Sequence, residues 1–312
     1  MIPLLDLDLV FVTGKGGVGK TTVAAALAEV AARRGQRVLV CEMDAKGALA
    51  TAFEVTELTF ETTEVAPNLY AMSMSTEDSL REYLRLYVKI PLIGRLGVLA
   101  STFDFVADAA PGVKEILAVG KLCWEVKERN YDLVVVDAEA SGHVVSQVGA
   151  PRVIADLVQV GLVREQTQWM LDILEDPTRT GVVVTTTPEE MPVTESIELL
   201  ERLTADTGTH PAAVVANRVL PAMFDRNEQQ VARHVRDAVP MLVDAVGPGA
   251  AAVVEAASII EARRSIGAEH LERLRGAIPG EIPIITVPEL FSRAHGRRVV
   301  TLVADGLDEE IG

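Results

Sequence analysis

A chain of 312 residues with 49% hydrophobic content can bury a large core, as one α/β domain or two small ones. The formal net charge of −16 argues against nucleic acid as a partner and against charge-driven docking on an anionic membrane, because both rest on clustered Lys and Arg. Two cysteines far apart in sequence, Cys41 and Cys123, fit a reducing compartment and no disulfide framework.

The first residues, M-I-P-L-L, lack a basic flank and run into Asp6 and Asp8, so no signal peptide is expected. A buried strand is expected over 8–13. A loop follows it, then a helix rich in small apolar residues (Val23, Ala24, Ala25, Leu27, Ala28, Ala31) that ends at Gly35. Further strand-like runs occur at 37–41, 69–73, 133–137, 181–186, 213–219 and 282–287. Most are continuous runs of Val, Leu and Ile, as expected for strands covered on both faces, with helical patterns between them. The fold class is therefore α/β, a doubly wound, mostly parallel sheet. No repeat, low-complexity stretch or linker divides residues 1–312, so one domain with insertions is the simplest organisation.

Two stretches exceed a plain crossover. Residues 76–130 read as a helical insertion interrupted at Pro91 and Pro111, and 227–276 as a second helical segment with breaks at Pro240 and Pro248-Gly249. The second reads equally well as a cap or as ordinary sheet-covering helices. No apolar run is long enough to span a bilayer, since Arg95 interrupts the best candidate, 90–99. A soluble, cytoplasmic protein is expected.

The most informative residues are 14–22, G-K-G-G-V-G-K-T-T, directly after the first strand. They match the phosphate-binding loop G-x-x-x-x-G-K-[ST]. A triphosphate is held by backbone N–H groups, which can close on it only where no Cβ intervenes, and the following helix adds the positive end of its dipole. This assigns Gly14, Gly16, Gly17, Val18, Gly19, Lys20, Thr21 and Thr22 to phosphate binding. Lys20 is the charge at the β/γ-phosphates and Thr21 the Mg²⁺ hydroxyl. A chance match in a chain of this length is roughly 1 in 100, and the strand–loop–helix context lowers it further. ATP or ADP with Mg²⁺ is the expected cofactor.

Lys15 is a second lysine within the loop. K-G-G-V-G-K-T resembles the deviant phosphate loop of dimeric ATPases, among them the chromosome-partitioning, division-site, nitrogenase iron-protein and arsenite-pump families. That resemblance implies that Lys15 acts catalytically across a dimer, on the partner's nucleotide.

In open α/β sheets ligands lie beyond the carboxyl ends of the strands. Those ends read Cys41-Glu42-Met43-Asp44, then Asp137 to His143 (D-A-E-A-S-G-H), then Ala216-Asn217-Arg218, and finally Val287-Pro288-Glu289-Leu290. Residues 137–143 resemble the switch II motif D-T-A-P-T-G-H of the arsenite-pump ATPase family, which includes the ATPase that targets tail-anchored membrane proteins. Residues 44–53, D-A-K-G-A-L-A-T-A-F, are similar to its switch I, and Pro111-Gly112-Val113-Lys114-Glu115 fits a P-G-x-x-E element of its helical insert. The resemblance extends from the first strand to Pro288. It implies that Asp44 orients or deprotonates the attacking water and that Asp137 holds the Mg²⁺ water shell. It further implies that Gly142 senses the γ-phosphate, that Asn217 reads the adenine edge and that Pro288 packs near the base. Outside the resemblance, Asp44 would serve as a helix cap and His143 as a helix-start residue.

The departures predict intact nucleotide binding with hydrolysis slow or partner-dependent. Switch I has Ala45, Lys46, Gly47 and Ala48 where the family has Pro, His and Asn, and switch II carries Glu139 near the phosphates. A carboxylate there repels the γ-phosphate unless it faces away or pairs with a lysine.

The resemblance further implies a homodimer, or a heterodimer with a paralogous ATPase, that drives a client protein or membrane partner. The cysteines do not form a metalloid site, a C-x-x-C zinc clasp or an iron–sulfur site. The aliphatic run through Leu84, Leu86, Val88, Ile90, Leu92 and Leu96 reads as client groove or as core; 76–130 holds no methionine, which favours a narrow partner. The alternatives are a positioning ATPase, against which the acidic end 304–312 argues, and a P-loop metabolic kinase or synthetase.

Overall fold

The computed structural model describes residues 4–44, 46–83, 112–157, 162–222, 235 and 237–311. Its centre is an eight-stranded sheet in the order β3-β4-β2-β5-β1-β6-β7-β8. The strands are β1 (Leu9–Gly14), β2 (Val38–Glu42), β3 (Thr63–Ala66), β4 (Leu69–Ser73), β5 (Leu133–Ala140), β6 (Thr180–Thr186), β7 (Pro211–Val219) and β8 (Ile284–Pro288). All pairs are parallel except β3 with β4. Every strand expected from sequence is present, with ends shifted by at most three residues.

β3 was not expected. Its residues Thr63 and Glu64 are exposed and its pattern is not apolar. It exists because Pro67-Asn68, with Asn68 at φ 63°, turns the chain back for Ala66 to pair with Leu69.

Strand alternation assigns one core to each face of the sheet. Val10, Val12, Val38, Val40, Leu133 and Val135 point to the face covered by α1 (Lys20–Arg33), α2 (Ala48–Phe53) and α10 (Gly296–Ile311). Leu9, Phe11, Leu39, Cys41, Val134 and Val136 point to the opposite face. That face is covered by α4 (Val113–Lys127), α5 (Ser141–Leu157), α6 (Leu162–Leu174) and α7 (Glu190–Arg202). α1 is buried almost all round because it lies between the sheet and α10, and its alanines let both approach closely. Its buried Glu29 is held by Arg33 and Thr301, and Arg33 also reaches Asp305 at 2.7 Å.

Of the insertion read over 76–130, α3 (Thr76–Tyr83) and α4 are described. Lys121 of α4 bonds Glu82 of α3 at 2.9 Å and its own-helix Glu125 at 2.6 Å, so α3 and α4 are pinned together. The aliphatic run from Leu84, including 90–99 and Arg95, lies outside the described residues, as do Pro91 and Pro111. In the second segment Pro240 starts a helix rather than breaking one. It sits in the first turn of α8 (Val239–Val246), where a missing N–H goes unnoticed. Pro248 caps α9 (Gly249–Ala277), whose C-terminal third packs on α7 and β7 through Gly267, Leu271 and Leu274. Residues 227–234 and 236 lie outside the described residues.

Cys41 and Cys123 are both fully buried in the core on the α4 side. Burial raises both thiols, Cys123 to about 12 and Cys41 further still. Neither should react with a thiol reagent such as DTNB until the protein unfolds; labelling of the native protein within minutes would show that this core opens.

Candidate functional site

β1 lies between β5 and β6, while the chain leaves it for β2 on the far side of β5. The loop after β1 therefore sits at a switch point of the sheet, where open α/β folds place ligands. Gly14 ends β1 at φ 146°, with Thr185 O of β6 against it, and Gly19 at φ 94° caps α1. Gly16 and Gly17 face open space and Val18 is buried. Lys20 and Thr21 thus occupy the first turn of α1, where the orphan N–H groups and helix dipole favour an anion.

The Lys20 ammonium bends back to Lys15 O at 3.4 Å. Burial lowers its pKa, against the opposing pull of Asp137. The Thr21 hydroxyl lies beside the carboxylate of Asp137, which is 7% exposed. Burial raises Asp137 to about 6 despite Thr21 and Lys20, and Glu42 and Asp44 push in the same direction. Asp137 and Glu42 are register partners on β5 and β2, so both point to the face that carries α1.

Asp44 is exposed and ion-pairs with Lys46. It does not cap α2: the cap position is Gly47, at φ 73°, with no side-chain bond. The carboxylate that takes the first α2 amide belongs to Glu42, whose Oε1 accepts Ala48 N–H at 2.8 Å. Sequence reading missed this role; the signal was a second acid two residues before Asp44, and only the β2–β5 register gives it a direction.

Glu139 does not face the phosphate loop as a free charge. Gln147 donates to its Oε1 at 2.9 Å, and His143 Nδ1 lies 3.5 Å from its Oε2, so the carboxylate is turned onto α5. His143 itself is exposed in the first turn of α5, and Gly142 beside it faces open space. Asn217, at the end of β7, is buried against the loop: its Nδ2 donates to Val18 O at 2.8 Å and its Oδ1 accepts Arg218 N–H at 2.9 Å. One amide hydrogen and one lone pair stay available to a ligand. Pro288 ends β8 and is exposed. A cavity of about 440 Å³ opens beside these strand ends, lined by Thr187, Arg218, Leu220, His270 and Glu289 among others.

Lys15 is turned away from Lys20 and ion-pairs with Glu195 of α7, each side chain about 30% exposed. No sequence pattern announces this contact, which joins residues 180 positions apart. The structure thus brings the loop, Lys20, Thr21, Asp137 and Asn217 together. Asp44 and Gly142 lie at the ends of neighbouring elements, and Lys15 faces α7.

Among the described residues no group of three or more His, Cys, Asp or Glu converges to hold a bare metal ion, and no helix is long and apolar enough to cross a membrane. Mg²⁺ asks for less: it keeps several waters and takes one or two protein ligands besides phosphate oxygens. The Thr21 hydroxyl and the Asp137 carboxylate fit that demand.

Comparison with known proteins gives the same picture. ATPase BagA of Mycobacterium tuberculosis is 31% identical over 233 residues, 71% of this chain and 68% of that protein. A putative arsenical pump-driving ATPase of Halobacterium salinarum is 26% identical over 271 residues, 78% of this chain but 42% of the relative. An ATPase ASNA1 homolog of Plasmodium falciparum is 22% identical over 342 residues, covering 93% and 84%. The family model for anion-transporting ATPases matches residues 7–166 and 156–242, a span that holds the phosphate loop, both switch segments and Asn217. By its sequence and by the sheet that carries these residues, the chain belongs to the anion-transporting ATPase family and is an ATPase.

Proposed function

We propose that this ATPase is a Mg²⁺-ATP-operated dimeric switch, in which two subunits close on nucleotide and the movement drives a client protein or membrane partner. The observation that carries the reading is the pairing of a complete phosphate loop with Lys15, a lysine that its own site does not use. Phosphoryl transfer asks the protein for positioning and charge stabilisation.

In this reading the N–H groups of Gly14 to Thr22 wrap the phosphates and Lys20 swings from Lys15 O to the β/γ-phosphates. Thr21 and Asp137 hold Mg²⁺, the latter through water, and the metal neutralises charge on the phosphates. Asn217 reads the adenine edge with its remaining donor and acceptor, while Pro288 borders the base. Gly142, in the first turn of α5, senses the γ-phosphate through its N–H. Asp44 orients the attacking water once it leaves Lys46; the ion pair that now neutralises it supports slow or partner-dependent turnover. Gln147 and His143 orient the Glu139 carboxylate toward α5.

The pair between Lys15 and Glu195 is about 30% exposed on each side and contributes about 1 kcal/mol or less, so it exchanges readily for a phosphate. The second subunit is an identical chain or a paralogous ATPase. The arsenical-pump description of the halobacterial relative is not carried over: a metalloid site needs clustered accessible thiolates, and both cysteines are buried in the core.

The test is Lys15→Ala. The variant should bind ATP as a monomer with affinity within about threefold of wild type, while ATP-dependent dimerisation, read by light scattering after size exclusion, falls at least about tenfold. Unchanged assembly and turnover would instead favour a kinase or synthetase, in which Lys15 is a bystander.

A further inference from the structure

Among the described residues, Glu42 Oε2 and Thr185 Oγ1 are buried side-chain atoms near the site without a hydrogen-bond partner. Glu42 is 2% exposed; its Oε1 is used by Ala48 N–H, and its Oε2 is buried without a hydrogen bond. A buried carboxylate oxygen left bare is strongly unfavourable, and such atoms in native proteins call for a water or ion. Hydrophobic replacement would have been simple, since Val38 and Val40 precede Glu42 on the same face of β2. The carboxylate points to the α1 face beside its register partner Asp137, which the reading above assigns to the Mg²⁺ water shell. Around this point Glu42, Asp44 and Asp137 face Lys20 and Lys46, an acidic excess that a dication would offset.

We propose that Glu42 is a positioning residue of the ATPase site. Through Oε2 it accepts a hydrogen bond from the water shell of nucleotide-bound Mg²⁺, and through Oε1 it holds the amide that starts α2. One side chain thereby ties the metal to the start of α2, next to Lys46 and the Asp44 it pairs with, so loss of the metal with the nucleotide releases that segment. This rests on the Mg²⁺-ATP reading above and extends it from the phosphate loop to β2 and α2. Partners that orient a metal's own ligands and waters typically contribute 10–100-fold in metal affinity.

Glu42→Gln is nearly isosteric. Its amide oxygen can keep the Ala48 N–H, while an N–H₂ replaces Oε2 and opposes the hydrogens of a metal-bound water. Binding of a fluorescent ATP analogue is measured as Mg²⁺ is titrated in, and again in EDTA. The variant should need about tenfold more Mg²⁺ to reach its half-maximal gain in affinity, with affinity in EDTA within about twofold of wild type. An unchanged Mg²⁺ midpoint overturns the proposal. Wild-type binding that shows no Mg²⁺ dependence overturns both this proposal and the function it rests on, and the wild-type titration alone separates the two failures.

Ala48→Pro tests the other arm, and serves if the first variant folds poorly. Ala48 is the first residue of α2, a position that accepts proline, and the change removes the amide that Oε1 holds while restraining Gly47 before it. The Mg²⁺ midpoint should stay within about twofold, while Mg²⁺-ATP should no longer protect the exposed Lys46 bond from trypsin as it does in wild type. Equal protection in both proteins overturns the tie between metal and segment.

Discussion

Replacing Gly14 with alanine is expected to lower the melting temperature by about 5 °C and to abolish ATP binding. At φ 146° an added Cβ would lie 2.0 Å from the backbone oxygen of Thr185. Neither atom can retreat cheaply. Gly14 and Thr185 are register partners in the parallel β1–β6 pair, and both neighbouring stretches are buried. The backbone conformation adds a second term, because an L side chain at this φ is strained wherever the space is free. Together these amount to about 3 kcal/mol, which for a domain of this size corresponds to about 5 °C. The loss of binding has the same origin: β1 must separate from β6 where the loop begins, so the N–H groups no longer converge. Gly16→Ala is the matched control. Its Cβ meets nothing within 4 Å and its φ is not positive, so the fold should keep its melting temperature within about 1 °C. Thermal unfolding by circular dichroism, with ATP titrated by calorimetry, reads both variants. A Gly14→Ala protein as stable as Gly16→Ala would show that the β1–β6 contact is not what fixes the loop.

The contrast between these two glycines also marks what the sequence could and could not say. Both fit the motif, yet nothing in the motif tells which glycine answers to the sheet and which to the ligand. The strands were readable because each buried strand is its own apolar run; 69–73, for example, needs no partner to be recognised. β3 was not, since T-E-V-A is an edge strand defined by its partner β4 and by the Pro67-Asn68 turn. Within the site, Lys20, Thr21 and Asp137 were legible because motif spacing and strand ends place them. Glu42 was not, because its meaning depends on lying across from Asp137, and register is a property of two strands rather than one. Lys15 was recognised as unusual, but its contact with Glu195 joins the loop after β1 to α7 and leaves no local trace. Asp44, by contrast, had a plausible alternative as a helix cap, and the structure gives that place to Gly47 and Glu42.

Asp137→Asn should move stability and function in opposite directions. Burial holds the Asp137 carboxyl near pKa 6, above its ordinary 3.8, so in the metal-free protein the ionised form is the disfavoured one. Between those two values the folded state binds more protons than the unfolded state, and linkage then requires stability to fall as pH rises from about 4 to about 6. Above that range the full deficit of roughly two pKa units, about 3 kcal/mol, is present. The asparagine removes the charge and can still accept from Thr21. Metal-free Asp137→Asn should therefore melt about 3–5 °C above wild type at pH 7.5 and within about 1 °C of it at pH 4. With Mg²⁺ and ATP the ranking reverses, since the dication offsets the charge in wild type alone, and steady-state turnover of the variant should fall about 100-fold or more. A variant that melts below wild type at pH 7.5 in EDTA would mean that Lys20 and Thr21 already compensate the carboxylate fully. The buried charge would then be a stabilising element of the fold, and not one held in place for the metal.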